Sequence, residues 1–193
     1  MRTASFDRDQ VLTQAMQAFR LKGFNATTMA DITRATGLHP GSLYGAFGNK
    51  RGLLLAAVDH YVDQRHQALE GCFQEVSLGQ GLRNYLDGML AELLCCDQLS
   101  CLLTKTLQEL AENDEEIAAK LCQLLTGLED RVVQAMERGL ERGELPADAQ
   151  VESLARFFLV GVYGLRTYAH THPGEAALRD CAERLLASLP LKA

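Results

Sequence analysis

Gly23-Phe24-Asn25-Ala26-Thr27-Thr28-Met29-Ala30-Asp31-Ile32, followed by Ala35-Thr36-Gly37-Leu38-His39-Pro40-Gly41-Ser42-Leu43-Tyr44-Gly45-Ala46-Phe47-Gly48-Asn49-Lys50, is the stretch on which the fold turns. Thr28-Met29-Ala30-Asp31 has the form of a capping box, in which the threonine hydroxyl and the Asp31 carboxylate satisfy amides left open at a helix start. The helix it opens is short, because Gly37 follows Thr36 and adopts the left-handed conformation of a tight turn at no steric cost. Pro40 suits the first turn of the next helix, where its missing N–H falls at a position with no intrahelical partner. That helix ends near Phe47, before Gly48-Asn49. Two short helices joined by a glycine-containing turn, the second opening with small residues, have the spacing of a helix-turn-helix.

Upstream, Val11, Leu12, Ala15, Met16, Ala18 and Phe19 form one apolar face over about residues 7–22, and Gly23 ends that helix. Ile32, Leu38, Leu43 and Phe47 have the spacing to fill a small core against it. Downstream, a long helix runs from Lys50 through Leu53, Leu54, Ala57, Val58, Tyr61 and Val62 to about Cys72. Five more helices are expected near 80–95, 101–112, 114–142, 148–171 and 175–189, with Asn113-Asp114 and Asp148 as start signals. The fold class is all-α, with about nine helices. Residues 1–50 are expected to form a helix-turn-helix head, and 51–193 a helical dimerisation and sensing domain.

The net charge of −6 conceals an asymmetry. Residues 1–51 carry seven basic side chains (Arg2, Arg8, Arg20, Lys22, Arg34, Lys50, Arg51) against three acids, a local +4 that leaves −10 to the remainder. A basic head on an acidic body suits phosphate binding at one end. No stretch reaches the roughly eighteen apolar residues of a bilayer span, so a soluble, cytoplasmic protein is expected. The six cysteines (Cys72, Cys95, Cys96, Cys101, Cys122, Cys181) lack zinc-site or disulfide-framework spacing and are expected to be mostly reduced and buried.

The quoted stretch resembles the TetR family of transcriptional regulators over about 50 residues, including both turn glycines, the Leu43-Tyr44 pair, Phe47, Lys50 and the following Leu53-Leu54. The resemblance implies that the 40–47 helix enters the major groove, while Thr27, Thr28, Tyr44 and Lys50 hold the DNA backbone. His39, Gly41 and Ser42 are placed to approach base edges, with Pro40 at the helix start and Arg34 as a further donor. The sequence departs from the family's pattern at Pro40 and Ala46, where many members place a lysine or other polar residue and a histidine. Two potential DNA contacts are thereby absent, and Arg34 and Arg2 are the available substitutes.

One such motif reads only a few base pairs, so a homodimer on a symmetric double-stranded operator is expected. The apolar run Leu154, Phe157, Phe158, Val160, Gly161, Val162, Gly164 and Leu165 points to the seam, with Leu154, Phe158, Gly161, Val162, Gly164 and Leu165 taken as interface residues. An unidentified small-molecule effector would enter a cavity approached by Phe157, Phe158, Tyr163 or Tyr168. Ser100-Cys101-Leu102-Leu103-Thr104-Lys105 resembles an electrophile-responsive subgroup of the family. In that reading Cys101 is the sensing thiol at a helix start, and Lys105 steadies its thiolate. No metal site or cofactor is expected, since His170 and His172 are poorly spaced for a shared ion. No nucleophile elbow or phosphate-binding glycine loop suggests an enzyme. The competing reading is a helical interaction protein with a degenerate DNA-binding head.

Overall fold

The computed structural model describes residues 6–95, 101–171 and 173–192, with the side chain of residue 95 left aside. The expectations attached to Arg2, Cys96, Ser100 and His172, and to the side chain of Cys95, lie outside the described residues. Helices follow in the order α1 (Arg8–Lys22), α2 (Met29–Thr36), α3 (Pro40–Phe47), α4 (Lys50–Cys72), α5 (Leu78–Cys95), α6 (Leu102–Leu110), α7 (Glu115–Glu141), α8 (Val151–Tyr168) and α9 (Glu175–Ala187). A 3-10 turn, Ala169–Thr171, tightens the end of α8. The described residues contain no strand, and none of their helices is long and apolar enough to cross a membrane.

Local chemistry explains most of the boundaries. The Asp7 carboxylate accepts the Asp9 and Gln10 amides at 3.0 and 3.1 Å and starts α1. Ser77 Oγ accepts the Gln80 amide at 3.2 Å, which lets α5 begin at Leu78, two residues before the expected start. Asp114 Oδ1 accepts the Ile117 amide at 3.0 Å and caps α7 as anticipated. Asp148 does not cap α8. The chain is still turning there, with the Ala149 amide donating to Pro146 O at 3.0 Å, and the helix starts only at Val151 after Gln150, without a side-chain cap.

The chain divides into two compact units, one of Met1–Arg65 with Ser100–Gln123, the other of His66–Leu99 with Leu124–Ala193. In the first, Val11, Leu12, Ala15, Met16 and Phe19 of α1, Ile32 of α2, and Leu43 and Phe47 of α3 are buried, as are Leu53, Leu54, Val58 and Tyr61 of α4. Leu102, Leu103 and Leu110 of α6 and Ile117 and Leu121 of α7 are buried in the same unit. Leu38, expected in this core, is only half-buried.

The second unit is built on a core from five helices, to which α4 contributes Leu69. Leu78, Leu82, Leu86 and Leu90 of α5, Val132 and Met136 of α7, Ala155, Phe158, Val162 and Leu165 of α8, and Leu178, Ala182 and Leu186 of α9 form one cluster. Their spacing of three or four residues puts each set on one helix face. Gly161 permits the close approach of α8 and α9, since a Cβ there would collide with the Leu185 side chain. At the end of α8, buried Arg166 donates Nη2 to Glu92 at 3.0 Å.

Candidate nucleic-acid interface

The capping box forms in full: Thr28 Oγ1 accepts the Asp31 amide at 3.1 Å, and Asp31 Oδ2 accepts the Thr28 amide at 3.0 Å. The Thr28 hydroxyl hydrogen is directed to Asp31 Oδ2 at 2.7 Å, and Lys22 Nζ reaches Oδ1 at 2.7 Å. Hydrogen bonds from Lys22, then from Thr28, hold the Asp31 carboxyl well below the usual carboxylate range. Gly37, at φ +66°, makes the turn between α2 and α3.

Helix α3 presents two faces. Leu43 and Phe47 turn inward, while Gly41, Tyr44, Gly45 and Ala46 form an exposed strip with Ser42 half-buried beside it. Tyr44 is 46% exposed, so its ring projects rather than packs. His39 stands at the N-cap, where its Nδ1 accepts the Gly41 amide at 3.1 Å. An accepting Nδ1 fixes the neutral Nε2–H tautomer, which leaves an exposed donor at the mouth of α3. Pro40 occupies the first helical position. On α2, Arg34 projects into solvent 3.5 Å from Asp31.

Two residues expected to grip phosphates are engaged elsewhere. Thr27 is fully buried, and its hydroxyl donates to Gly23 O at 2.5 Å, so its role here is to close the α1–α2 turn. Lys50 Nζ donates to Phe24 O at 2.8 Å and Thr27 O at 2.9 Å and lies 4.2 Å from the centre of the Phe24 ring. Two of its three N–H groups therefore hold the same turn, and one is left for a phosphate. The spacing of Lys50 in the motif gives no sign of this, because both acceptors are backbone carbonyls more than twenty residues away.

The basic charge of the head is similarly committed. Arg20 is buried with its guanidinium 5.4 Å from the Tyr61 ring centre, and Arg8 lies 4.8 Å over Phe47. Arg51 binds Asp114 at 2.8 Å and Glu116 at 2.7 Å, which raises the affinity of its guanidinium for its proton and holds the Asp114 carboxyl at about 2. The whole first unit contains ten basic and ten acidic side chains, because residues 52–65 and 100–123 bring the acids that offset the +4 of residues 1–51. Helices α2 and α3 themselves carry only Asp31 and Arg34, so the basic excess of residues 1–51 lies outside these two helices.

In the second unit the expected seam residues separate into two sets. Phe158, Val162 and Leu165 are buried in the protomer's own core and so are turned away from a subunit contact, while Leu154, packed against that core, and Gly161, facing Leu185, are half-buried at its edge. The outward face of α8 instead carries Phe157 (49% exposed), Val160 (67%), Gly164 and Tyr168 (43%). The four aromatic residues expected around a ligand do not converge. Phe157 and Tyr168 face outward, Phe158 packs 6.1 Å from the Tyr85 ring, and Tyr163 is half-buried at the core's edge.

Cys101 is buried as the N-cap residue of α6 and makes no side-chain capping bond. Lys105 does not serve its thiolate: Nζ donates to Arg20 O and Leu21 O, both at 3.0 Å. Among the other described cysteines, Cys122 is exposed, contrary to expectation, and Cys72 and Cys181 are half-buried. Burial pushes the Cys72 thiol up.

Residues 11–57 match the family described as bacterial regulatory proteins, tetR family, and residues 82–185 match the tetracyclin repressor-like C-terminal domain. The HTH-type transcriptional repressor ComR of Escherichia coli K12 is 31% identical over 164 residues, covering 83% of this chain and 78% of ComR. The repressor BdcR of the same organism is 39% identical over 61 residues, covering 32% of this chain and 31% of BdcR. Among solved structures, a cysteine-substituted TetR family regulator CifR, complexed with 26-base-pair double-strand operator DNA, superposes with a TM-score of 0.86. It is 29% identical, and the match covers 98% of this chain and all of CifR.

Proposed function

The chain belongs to the TetR family of bacterial transcriptional regulators, and from that membership we propose that it works as a homodimeric repressor. Residues 1–50 form the DNA-reading head and 51–193 carry dimerisation and effector sensing, in the cytoplasm. The carrying observation is the outward strip of α3, with the His39 Nε2–H donor at its mouth and Ser42 and Tyr44 beside it on a helix whose inner face is locked by Leu43 and Phe47. His39 and Ser42 meet base edges; Pro40 and Gly41 let the backbone approach; Tyr44, Arg34 and the remaining Lys50 N–H meet phosphates, and Thr28 joins them by turning its hydroxyl hydrogen from Asp31 to the DNA. Two α3 helices enter successive major grooves about 34 Å apart. Phe157, Val160, Gly164 and Tyr168 form the dimer seam, since an exposed apolar face of this kind calls for a partner. The operator complex of the similar CifR supports the same mode of binding.

Release follows binding of a small-molecule effector to the second unit. A second reading places the trigger at Cys101, as a thiol responding to electrophiles or oxidants; its support is the position at the head of α6. Fluorescence titration with DNA flanking the protein's own gene tests the main reading. Salt-sensitive, sequence-preferring binding is expected, and its absence would favour a helical interaction protein with an inactive head. Comparing electrophile-induced release in the parent and in Cys101→Ser tests the second, and equal release removes Cys101 from the mechanism.

A further inference from the structure

The turn between α1 and α2 is held by α6 through two oppositely charged side chains one helical turn apart. Lys105 Nζ donates to the Arg20 and Leu21 carbonyls, both at 3.0 Å, at the end of α1 where backbone acceptors have no intrahelical partner and the helix dipole is negative. Glu109 Oε2 accepts the Asn25 amide at 2.9 Å, just beyond that end. Gly23, at φ +83°, makes room for the carboxylate: a Cβ there would occupy the space of Glu109 Oε1. Each charge meets the backbone group of opposite polarity. With Lys50 on the Phe24 and Thr27 carbonyls, the turn is tied from α4 and α6 at once.

We infer that Lys105 and Glu109 are positioning residues for DNA binding: they fix the α1–α2 turn, and through it the entry of α2 and the presentation of α3, without touching DNA. The inference rests on the DNA-reading role of α3. Both residues lie in the stretch that matches the C-terminal domain of the family, yet their contacts are with the head. Helix α6 thereby acts as a mechanical part of the reading unit. A shift of α6 by about the length of a hydrogen bond breaks the clamp and loosens the turn. Cys101, at the start of α6, precedes Lys105 and Glu109 by four and eight residues and so shares their helix face. A covalent change there would bear on the clamp directly.

The test uses the full-length protein and a duplex that the parent selects from a random-sequence pool. Glu109→Ala is expected to weaken binding about tenfold, the size of one lost charge-assisted hydrogen bond, and Lys105→Met, which loses two, by at least about tenfold. The slope of log K against log salt should stay unchanged, because no phosphate contact is lost. Glu109→Gln, which still presents an acceptor to Asn25, and Lys105→Arg should bind within about threefold of the parent. Hydrogen exchange at the Asn25 amide should quicken in Glu109→Ala and not in Glu109→Gln. Parental affinity in both Lys105→Met and Glu109→Ala overturns the inference. So does a salt slope reduced by about 0.9 in Lys105→Met, which marks a direct phosphate contact. A parent protein that selects no duplex defeats the DNA-binding reading itself, and the Asn25 exchange rates then still report whether the clamp exists.

Discussion

Replacing Lys50 with methionine keeps the aliphatic stem and removes the ammonium that holds Phe24 O at 2.8 Å and Thr27 O at 2.9 Å. Charge-assisted hydrogen bonds contribute about 1.5–3 kcal/mol each when sheltered, and a partly exposed cation–π contact adds about 0.5–1 kcal/mol. Lys50 is only half-buried, and water can reach its acceptors once the ammonium is gone, so the low end applies to each contact. Phe24 O also keeps the Thr27 amide at 3.3 Å. A loss of about 2–3 kcal/mol in local stability is the net expectation. It should appear in native-state hydrogen exchange as protection lost by a factor of about 30–150 at the Gly23 and Thr27 amides, at 1.36 kcal/mol per tenfold change. Lys50→Arg, with donors on a longer and stiffer group, should recover part of it. Operator affinity should fall in Lys50→Met because the turn loosens, with the salt slope reduced by at most about 0.9, for the single N–H that remains for phosphate. Unchanged exchange at Gly23 and Thr27 together with weakened DNA binding would refute this reasoning and return Lys50 to a purely phosphate-binding role.

The two faces of α8 should respond differently to substitution. Phe158→Ala should destabilise the protomer by about 3–5 kcal/mol in urea titration, whereas Val160→Asp should dissociate the dimer in sedimentation while leaving helical content intact; a dimer that tolerates Val160→Asp places the seam elsewhere. Asp114 has its carboxyl lowered from 3.8 to about 2 by Arg51 and the Ile117 amide, so its stabilising contribution is complete above about pH 4 and lost as pH falls toward 2. The stability difference between the parent and Asp114→Asn, followed by circular dichroism, should shrink over that interval, and a difference that stays constant down to pH 2 contradicts the assignment. Thr28→Ala should cost about 1 kcal/mol as a lost cap and weaken binding to all duplexes alike, whereas Ser42→Ala should alter preference at one base position. Equal effects of these two across a panel of single-base variants would undo the division between backbone and base contacts.

The elements of the head were legible because their signals are local. Thr28 with Asp31, Gly37, Pro40 and Gly48 act on their immediate neighbours through capping, φ preference or a missing N–H, and no partner distant in sequence is needed for them to mark where α2 and α3 begin and end. The apolar periodicity of α1, α4, α7 and α8 likewise announces a helix wherever it is packed. Asp148 shows the limit of such signals: a good capping residue is ineffective when the chain turns for two more residues beyond it.

Which face meets what was decided by tertiary structure. Phe157 and Phe158, or Val160 and Val162, are interchangeable to a composition reading, and only the packing of α8 against α5, α7 and α9 turns one of each pair inward and leaves the other for a partner. Side-chain charge was equally ambiguous. Lys50 read as a phosphate donor and Lys105 as a support for the Cys101 thiolate, and Glu109 carried no local signal, but each finds a backbone carbonyl or amide of the α1–α2 turn, and such acceptors and donors are created only when the helices end where they do and come together. Sequence by itself determined the helices and the motif, because capping and periodicity act over a few residues. The assignment of its ionic and apolar groups to DNA, to a partner or to the turn that holds the head depended on contacts across distances in sequence that no local pattern encodes.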